Sequence, residues 1–453
     1  MLNIVVIGYV WPEPNSSAAG QNMLSLIRQH CEAGHKVTFL TAAADSIHKA
    51  DLAKFDVTSE AITLNCSSFN ERISQLSPDV VIFDRYMTEE QFSWRVKDTC
   101  PLALRVLNTE DLHSLRQARH DAVKRSGDAS NALLNTELAQ REIASILRSD
   151  LTLVISQYEK QLLEHHYNVP SAQLRLHPLF VEDAPISTPD YSQRQHFVHI
   201  GNFRHAPNWD AVLQLKQHIW PAIRKEIPDA QLHIYGAYLP KKASQLHNAA
   251  QGFIVKGWAD NAEEVVSSAR VLIAPIRFGA GIKGKLLDAM RTHTPSVTTW
   301  LGSEGISSEG ISLEGISLEG MSLGGISSED KSSKGDLLDT RTNNEKQVKP
   351  IPSQWPGAIC SPIMDENAIN NFVVHAVSLY QDEATWQKAS QHCEEVLKAY
   401  RAQADEMTLP EQLQLLFNGL KSHRESLFLQ NLLWHQSLNA TKYMSQWIEE
   451  KNK

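Results

Sequence analysis

Short, continuous apolar runs alternate with helical patterns along most of the chain. Asn3 to Gly8 (NIVVIG) and Val271 to Ala274 are two such runs. A run of this length is typical of a strand that is buried on both faces of a parallel sheet. After the first run, Met23 and Ile27 recur at helical spacing before the next run begins. The pattern therefore predicts an α/β protein built from doubly wound parallel sheets.

Further apolar runs form two sets, which predicts two domains. They lie at residues 36–41, 79–83, 102–107, 151–155 and 173–177, and then at 196–201, 231–235, 253–255, 296–299 and 358–360. Residues 182–194 between the two sets are rich in proline, aspartate and serine, which predicts a linker. The predicted organisation is an N-terminal domain at 1–182, a linker at 183–195, a C-terminal domain at 196–405 and a helical extension at 406–453.

A five-residue repeat interrupts the second domain. It runs from Ser303 to Ser327 (SEGIS, SEGIS, LEGIS, LEGMS, LGGIS), and a polar tract follows, so that residues 303–352 form a low-complexity insert. One or two apolar residues in five cannot bury enough apolar area to offset the entropy of ordering, so disorder is predicted. A small β-solenoid is the alternative. The insert would act as a flap or simply be tolerated, and we favour the second.

Helical patterns dominate the end of the chain, at residues 367–380, 383–404 and 410–450. Apolar residues of the last segment could pack into a core, a homodimer or a membrane surface; they are Leu427, Leu432, Leu433, Trp434 and Trp447. Because the segment lacks a face rich in Lys and Arg, the membrane interpretation is weak. We expect intramolecular packing or a homodimer through these helices.

Charge and composition exclude several classes of protein. With 43 basic and 52 acidic residues the net charge is −9, which argues against nucleic acid as the main partner. No apolar run approaches the ~20 residues of a membrane span, and Met1-Leu2-Asn3 lacks a basic leader, so we expect a cytoplasmic protein without a transmembrane segment. The five cysteines are scattered without metal-ligand spacing, which predicts reduced structural thiols and no metal site.

The most informative stretch is Arg270 to Thr299. After its apolar run comes a turn that contains Gly279 and Gly281, and then a helix that starts near Lys283 and Lys285. Helix N-termini bind anions through free N–H groups, and glycines let a ligand approach closely. We predict a diphosphate site at this turn and its lysines, with Asp288, one turn further on, binding a ribose hydroxyl. An ordinary connection with a Lys285–Asp288 surface pair is the alternative.

This stretch (FGAGIKGKLLDAMRTHTPSVTT), followed by Gly302-Ser303-Glu304-Gly305-Ile306, resembles the nucleotide-sugar site of the glycosyltransferases of family four, also called group 1. The resemblance implies a GT-B fold, with two doubly wound Rossmann-like domains facing a cleft and helices at the C-terminus. It implies that Lys283 or Lys285 binds the donor diphosphate and that Asp288 binds the ribose. The family usually has a glutamate eight residues before that carboxylate, where this chain has Ala280.

The loop after the first run also resembles the family. Pro12 to Gly20 is rich in proline and small residues and is followed by a helical pattern. It lacks the three spaced glycines of a dinucleotide fingerprint, which argues against a nicotinamide cofactor. The resemblance implies that Asn15, Ser16 and Gly20 contact donor phosphate or acceptor; a solvated surface loop is the alternative.

Two further positions complete the set of candidate residues. Asp111 and His113 follow the run at 102–107, and the carboxyl ends of parallel strands are where ligands bind in this architecture. In the family this segment faces the transferred sugar, so both residues are predicted to be catalytic; an N-terminal cap by Asp111 is the alternative. Arg204 follows the first strand of the second domain and could clamp a phosphate, unless it pairs with a carboxylate.

The helix start after the apolar run at 151–155 has no predicted chemical role. Ser156 with Glu159 three residues later predicts a capping box at a helix start.

The resemblance therefore implies a retaining glycosyltransferase of the cell envelope or of polysaccharide biosynthesis. The implied partners are a nucleotide-sugar donor and a glycan, lipid-linked or small-molecule acceptor, with no cofactor and no metal. The enzyme would be cytoplasmic, with peripheral membrane association as an option. A GT-B epimerase or hydrolase and a non-catalytic nucleotide-sugar binder remain alternatives, and the second is motivated by Ala280.

Overall fold

The computed structural model of the chain describes residues 1–183, 187–307, 355–362, 365–436 and 439–452. Within these residues the strands form two parallel sheets, one in each half of the chain. The predicted α/β class with two doubly wound sheets is confirmed. The interpretations of the serine- and glycine-rich repeat as disordered, as a β-solenoid or as a flap concern residues after 307 and lie outside the described part of the chain.

The first sheet holds the apolar runs of the N-terminal half. Its strands are β1 (Asn3–Gly8), β2 (Lys36–Thr41), β3 (Thr58–Ala61), β4 (Val80–Asp84), β5 (Leu104–Asn108), β6 (Leu151–Val154) and β7 (Leu174–Leu176), in the spatial order β3-β2-β1-β4-β5-β6-β7. The order reverses between β1 and β4, and the carboxyl ends of both strands reach the same edge. That edge is where an open α/β sheet places its ligand.

The second sheet has the same kind of strand order, with one reversal. Its strands are β8 (Gln195–Ile200), β9 (Leu232–Tyr235), β10 (Phe253–Gly257), β11 (Ala269–Ala274), β12 (Ser296–Thr299) and β13 (Gly357–Cys360), in the order β10-β9-β8-β11-β12-β13. The reversal falls between β8 and β11, and Val271 and Leu272 pair with β8 at full burial. The loops after these two strands carry Arg204 and the glycine turn.

Helices cover the sheets and form the C-terminus. Those of the first domain are α1 (Ala18–Glu32), α2 (Ser68–Leu76), α3 (Arg85–Thr99), α4 (His113–Ser126), α5 (Glu137–Arg148) and α6 (Gln157–His165). Those of the second are α7 (Ala206–Gln214), α8 (Trp220–Glu226), α9 (Lys241–Ser244), α10 (Ala262–Ser268), α11 (Gly284–Arg291), α12 (Trp300–Ser303), α13 (Glu366–Gln381) and α14 (Glu383–Arg401). The last are α15 (Leu409–Asn418), α16 (Leu420–Ser426), α17 (Phe428–Gln436) and α18 (Asn439–Lys451).

Three details differ from the sequence prediction. α1 begins at Ala18, where the Ser17 hydroxyl caps the helix, so Gly20 lies in the helix and not in the loop. The apolar pattern does not predict β3, because its sequence TSEA is an exposed edge strand without an apolar run. The single helical stretch expected at 410–450 is four shorter helices.

An apolar cluster joins the two domains. Ile155 and Leu179 of the first domain lie in the same buried cluster as Ile282 and Leu286 of the second. Because these side chains are nearly or fully buried, they hold the edges of the two sheets against each other.

The C-terminal helices pack intramolecularly on the first domain. Leu409 and Leu413 of α15 enter its core, and the junction is polar around Asp150. The Asp150 carboxylate, which is fully buried, accepts hydrogen bonds from the Arg424 Nε at 2.8 Å and the Gln430 Nε2 at 2.8 Å. Burial alone would raise the pKa of Asp150, but Arg105 and Arg424 outweigh it and lower the pKa to about 2.

We expect Asp150→Asn to lower the free energy of unfolding at pH 7 by about 3 kcal/mol, because it leaves two largely buried guanidinium groups without their carboxylate. Asp98→Asn, which breaks an exposed pair with Lys442 that also joins the extension to the first domain, should cost less than about 1 kcal/mol. Urea denaturation followed by tryptophan fluorescence measures both.

The same carboxylate gives the protein a pH dependence with a defined sign. Because its folded pKa lies below the unfolded value, its contribution is complete above about pH 4 and is lost as the pH falls toward 2. Equal urea midpoints for Asp150→Asn and Asp98→Asn would contradict this description of the junction.

Candidate active site

A cleft lies between the carboxyl edges of the two sheets. It encloses a cavity of about 510 Å³, a size within the range of small-molecule sites. The first domain contributes the loop after β1 and the start of the segment after β5. The second contributes the loop after β8, the glycine turn and the start of α11. The predicted residues that line it are Asn15, Ser16, Asp111, Gly279, Gly281, Lys283, Lys285 and Asp288.

Two lysines at the start of α11 carry the positive charge of the cavity. The Lys283 ammonium donates to the Gly281 carbonyl oxygen at 2.8 Å, and the Lys285 ammonium donates to the Asn208 Oδ1 at 2.7 Å. Both acceptors are neutral, and neither lysine forms an ion pair with a described residue. Burial lowers the pKa of both ammonium groups, that of Lys285 to about 7. Two lysine ammonium groups thus lie beside the helix N-terminus without an ion-pair partner among the described residues, and this is the composition of an anion site.

Asp288 lies on the same helix and also faces the cavity. Its carboxylate accepts no hydrogen bond from the described residues and does not form the surface pair with Lys285 that the alternative required. Burial and the nearby Glu263 raise its pKa to about 7. A carboxylate without a partner in a ligand-sized cavity can accept hydrogen bonds from ligand hydroxyl groups.

Asp111 stands opposite the glycine turn. It pairs with the Arg116 guanidinium, and its Oδ1 is 3.5 Å from the His113 Nε2. Burial opposes ionisation of Asp111, but Arg116 and His113 outweigh it and hold its pKa below the usual range. Burial lowers the pKa of His113 to about 4, so its ring is neutral at pH 7. His113 packs edge-on against Tyr86 and does not line the cavity.

Two buried glutamates position this segment by capping α4. Glu142 accepts hydrogen bonds from the His113 and Ser114 N–H groups at 2.9 and 2.8 Å, and Glu159 accepts one from the Leu112 N–H at 3.0 Å. Asp111 is not the cap of α4. The capping box predicted for Ser156 and Glu159 is wrong, because the Ser156 side chain makes no cap hydrogen bond and Glu159 binds other segments.

Sequence reasoning missed a second buried carboxylate next to Asp111. Glu110 lines the cavity and accepts hydrogen bonds from the side chains of Asn22 and Asn108. Burial and Asp84, at the end of β4, raise the pKa of Glu110 to about 8. Glu110 has a φ of 62° and Arg85 one of 70°, a conformation that is costly for such residues and clusters at functional sites. No sequence signal marks a positive φ at a non-glycine residue.

The remaining candidates are distributed unevenly. Asn15 and Ser16 line the cavity, and the Ser16 hydroxyl accepts a hydrogen bond from the Asn202 Nδ2 at 3.1 Å across the cleft. Gly20 does not line the cavity: a Cβ there would lie 2.2 Å from the Glu13 carbonyl oxygen, so this glycine allows α1 to pack against the loop. Arg204 is exposed, lies 3.5 Å from the Tyr238 ring centroid, and pairs with no carboxylate among the described residues.

A buried ion pair crosses between the domains beside the cavity. Arg119 of α4 holds Glu304 with two hydrogen bonds of 2.9 and 2.6 Å, and both side chains are almost fully buried. Glu304 belongs to the segment after α12 that the family resemblance included.

Two further properties of the described residues bear on ligands. No three His, Cys, Asp or Glu side chains come together as a metal site in the described ranges. None of the described helices combines the length and apolar character that crossing a bilayer requires.

Comparison with known proteins agrees with this architecture. Residues 194–318 match the family model described as "Glycosyl transferases group 1". No curated protein sequence matches the chain. Sucrose-phosphate synthase from Thermosynechococcus elongatus is 13% identical, with a TM-score of 0.59 over 92% of this chain and 99% of that one.

Two other solved structures are similar over nearly the whole chain. HepE of Anabaena, in complex with UDP and glucose, is 12% identical with a TM-score of 0.58, over 93% of this chain and 100% of that one. A mutant of S. aureus TarM, in complex with fondaparinux, α-GlcNAc-glycerol and UDP, is 8% identical with a TM-score of 0.58, over 94% of this chain and 100% of that one. At these identities the likeness shows the fold.

Residues 194–318 therefore match the group 1 glycosyltransferases, as the resemblance implied, and the chain has the GT-B fold of the compared structures.

The raised pKa of Asp288 predicts how stability responds to pH. Between the unfolded pKa near 3.8 and the folded pKa of about 7, the folded protein holds a proton that the unfolded chain releases, so this group lowers stability as the pH rises. We therefore expect Asp288→Asn to gain melting temperature relative to the wild type between pH 5 and pH 8. The exposed Asp229→Asn serves as control. A constant difference across that range would contradict the assigned environment.

Proposed function

We propose that the protein transfers a sugar from a nucleotide-sugar donor to an acceptor with retention of anomeric configuration. The observation that carries the proposal is the pair of lysines at the N-terminus of α11, Lys283 and Lys285, for which no residue that the structure describes is an ion-pair partner. Cations in a low-dielectric site are costly unless an anion neutralises them. A donor diphosphate supplies two negative charges and oxygens that can accept hydrogen bonds from both ammonium groups.

In this proposal the second domain stabilises the leaving group. As the bond between the sugar and the diphosphate breaks, negative charge grows on the diphosphate oxygens beside Lys283, Lys285 and the first N–H groups of α11. Groups fixed in this way before the reaction need little reorganisation, which is the main source of electrostatic catalysis. Asp288 would accept hydrogen bonds from the ribose. The metal ion that some transferases use is not required in this scheme.

The first domain would hold the transferred sugar and the acceptor. Asp111 is ionised, lines the cavity and packs against Gly281 of the glycine turn, so it lies where the sugar attached to a diphosphate at that turn would extend. His113 would orient Asp111 from 3.5 Å as a neutral ring. We propose that the acceptor binds at the side of the cavity that Asn15 and Ser16 line.

A non-catalytic nucleotide-sugar binder is the second candidate. Ala280 lines the cavity at the position where the family usually has a glutamate, so a side chain that would handle the sugar is missing. Turnover separates the candidates: release of free nucleotide in the presence of an acceptor supports transfer, and saturable binding without release supports the binder.

The donor and acceptor classes are proposed more broadly. UDP is present in the HepE and TarM structures, so a UDP-sugar is the first donor to examine, and the acceptor is proposed to be a glycan, a lipid-linked sugar or a small molecule. We place the reaction in polysaccharide or cell-envelope assembly in the cytoplasm, with peripheral membrane attachment and a homodimer through the C-terminal helices as further proposals.

Isothermal titration calorimetry with UDP-, GDP-, ADP- and CMP-sugars tests the donor site. We expect one nucleotide to bind in the presence of a chelator. Lys283→Ala/Lys285→Ala should weaken that binding by at least about a hundredfold, because each charge-assisted hydrogen bond contributes about 1.5–3 kcal/mol.

Lys256→Ala, which removes an exposed lysine of the same domain, is the matched control and should bind as the wild type does. Equal affinity in the double variant and the control would contradict the proposal that the diphosphate binds at the N-terminus of α11. Binding that the chelator abolishes would contradict a metal-independent donor site.

A further inference from the structure

Two side chains of the first domain form hydrogen bonds with the glycine turn of the second domain. The Glu159 Oε1 accepts a hydrogen bond from the Gly281 N–H at 2.8 Å. The Arg119 Nη1 donates one to the Gly279 carbonyl oxygen at 2.8 Å. These two main-chain groups belong to the peptide units on either side of Ala280. The two contacts therefore fix the orientation of two consecutive peptide units.

Glu159 and Arg119 are both buried and have other hydrogen-bond partners. Glu159 is fully buried, and the same oxygen also accepts a hydrogen bond from the Leu112 N–H of its own domain at 3.0 Å. Arg119 is 4% exposed, and its guanidinium also holds Glu304 with two hydrogen bonds. Glu159 cannot follow the turn without losing the Leu112 N–H, whereas Arg119 binds the second domain at two points, the turn and Glu304.

The turn has little main-chain bracing of its own. Among the described residues, no main-chain hydrogen bond joins residues 277–282 to one another. The nearest such bonds are those of Ile276 with Ala274 and of Leu286 with Lys283, on either side of the turn. Apart from the hydrogen bond that the Lys283 ammonium donates to the Gly281 carbonyl oxygen, its shape depends on contacts made by other segments.

The first domain also packs directly against the turn. A Cβ at Gly281 would lie 2.7 Å from the Asp111 Cβ and 3.1 Å from the Ile155 Cδ1. Gly281 also has a φ of +63°, which glycine adopts without cost. The residue at this position is thus fixed both by the backbone conformation and by the opposite domain.

We infer that Glu159 and Arg119 are positioning residues that hold the glycine turn in shape from the opposite domain, so that the donor half of the cavity is complete only when the two domains are closed. When the cleft opens, the peptide units around Ala280 lose their partners and the turn loses its fixed form. Closure then organises the groups that are proposed to bind the diphosphate. In its consequence for the donor, this inference rests on the proposed function.

Hydrogen exchange of peptides covering residues 276–286 tests the inference without any ligand. Glu159→Leu removes the acceptor of the Gly281 N–H, and we expect exchange of these peptides to rise about tenfold, as for the loss of one hydrogen bond. Glu159→Gln should restore protection, because an amide oxygen still accepts. Burial raises the pKa of Glu159 to about 8, so the neutral amide is a close substitute.

Glu142→Leu is the matched control. Glu142 is as buried as Glu159 and caps the same helix, yet its hydrogen bonds go to His113 and Ser114 of the first domain. This variant should lose stability while exchange in 276–286 stays at the wild-type rate. Arg119→Lys keeps a cation beside Glu304 but removes the guanidinium N–H that donates to the Gly279 carbonyl oxygen. This variant should raise exchange as Glu159→Leu does. It replaces the leucine variant if that variant does not fold.

Nucleotide binding forms the second arm. The dissociation constant of the nucleotide that binds wild type should rise about tenfold in Glu159→Leu and stay unchanged in Glu159→Gln. Unchanged exchange in the Glu159 and Arg119 variants, or an equal rise in Glu142→Leu, would overturn the inference. If wild type binds no nucleotide, the proposed function fails, whereas the exchange rates still decide whether the first domain shapes the turn.

Discussion

The proposed donor site depends on two lysines that have no ion-pair partner in the described part of the chain. Lys283 and Lys285 sit where the dipole of α11 already favours anions, and the acceptors of both ammonium groups are neutral. Burial moves the pKa of each toward neutrality, which is a cost to the folded state. A ligand with two negative charges removes that cost. The proposed donor diphosphate is such a ligand.

The first domain is organised to meet this site, and buried carboxylates do the organising. Glu142 and Glu159 cap the start of α4, which sets the segment that carries Asp111 and His113. Glu159 then reaches across the cleft to Gly281. One buried side chain therefore fixes the distance between the ionised carboxylate of one domain and the cationic turn of the other. Such networks are satisfied only in one arrangement of their parts, so they specify the closed geometry.

Local sequence pattern predicts the sheets and the glycine turn because those features depend on near neighbours. Apolar runs mark strands buried on both faces, and the turn before α11 is visible from its glycines and lysines. The pattern fails where the partner is distant. Ser156 and Glu159 have the spacing of a capping box, yet Glu159 binds an N–H group 122 positions away. The pairing of Arg119 with Glu304 spans 185 positions, and no periodicity announces it. Other features are hidden for different physical reasons: the edge strand β3 buries almost nothing, so it has no apolar run to detect, and the role of Gly20 is steric at the start of α1.

The most direct test of the central claim is a crystal structure of the chain soaked with the nucleotide-sugar that binds it. Electron density for the diphosphate within hydrogen-bond distance of Lys283 and Lys285, with the ribose beside Asp288 and the sugar directed at Asp111, is the predicted result. Density for the nucleotide at any other part of the chain, with α11 unoccupied, would contradict the account.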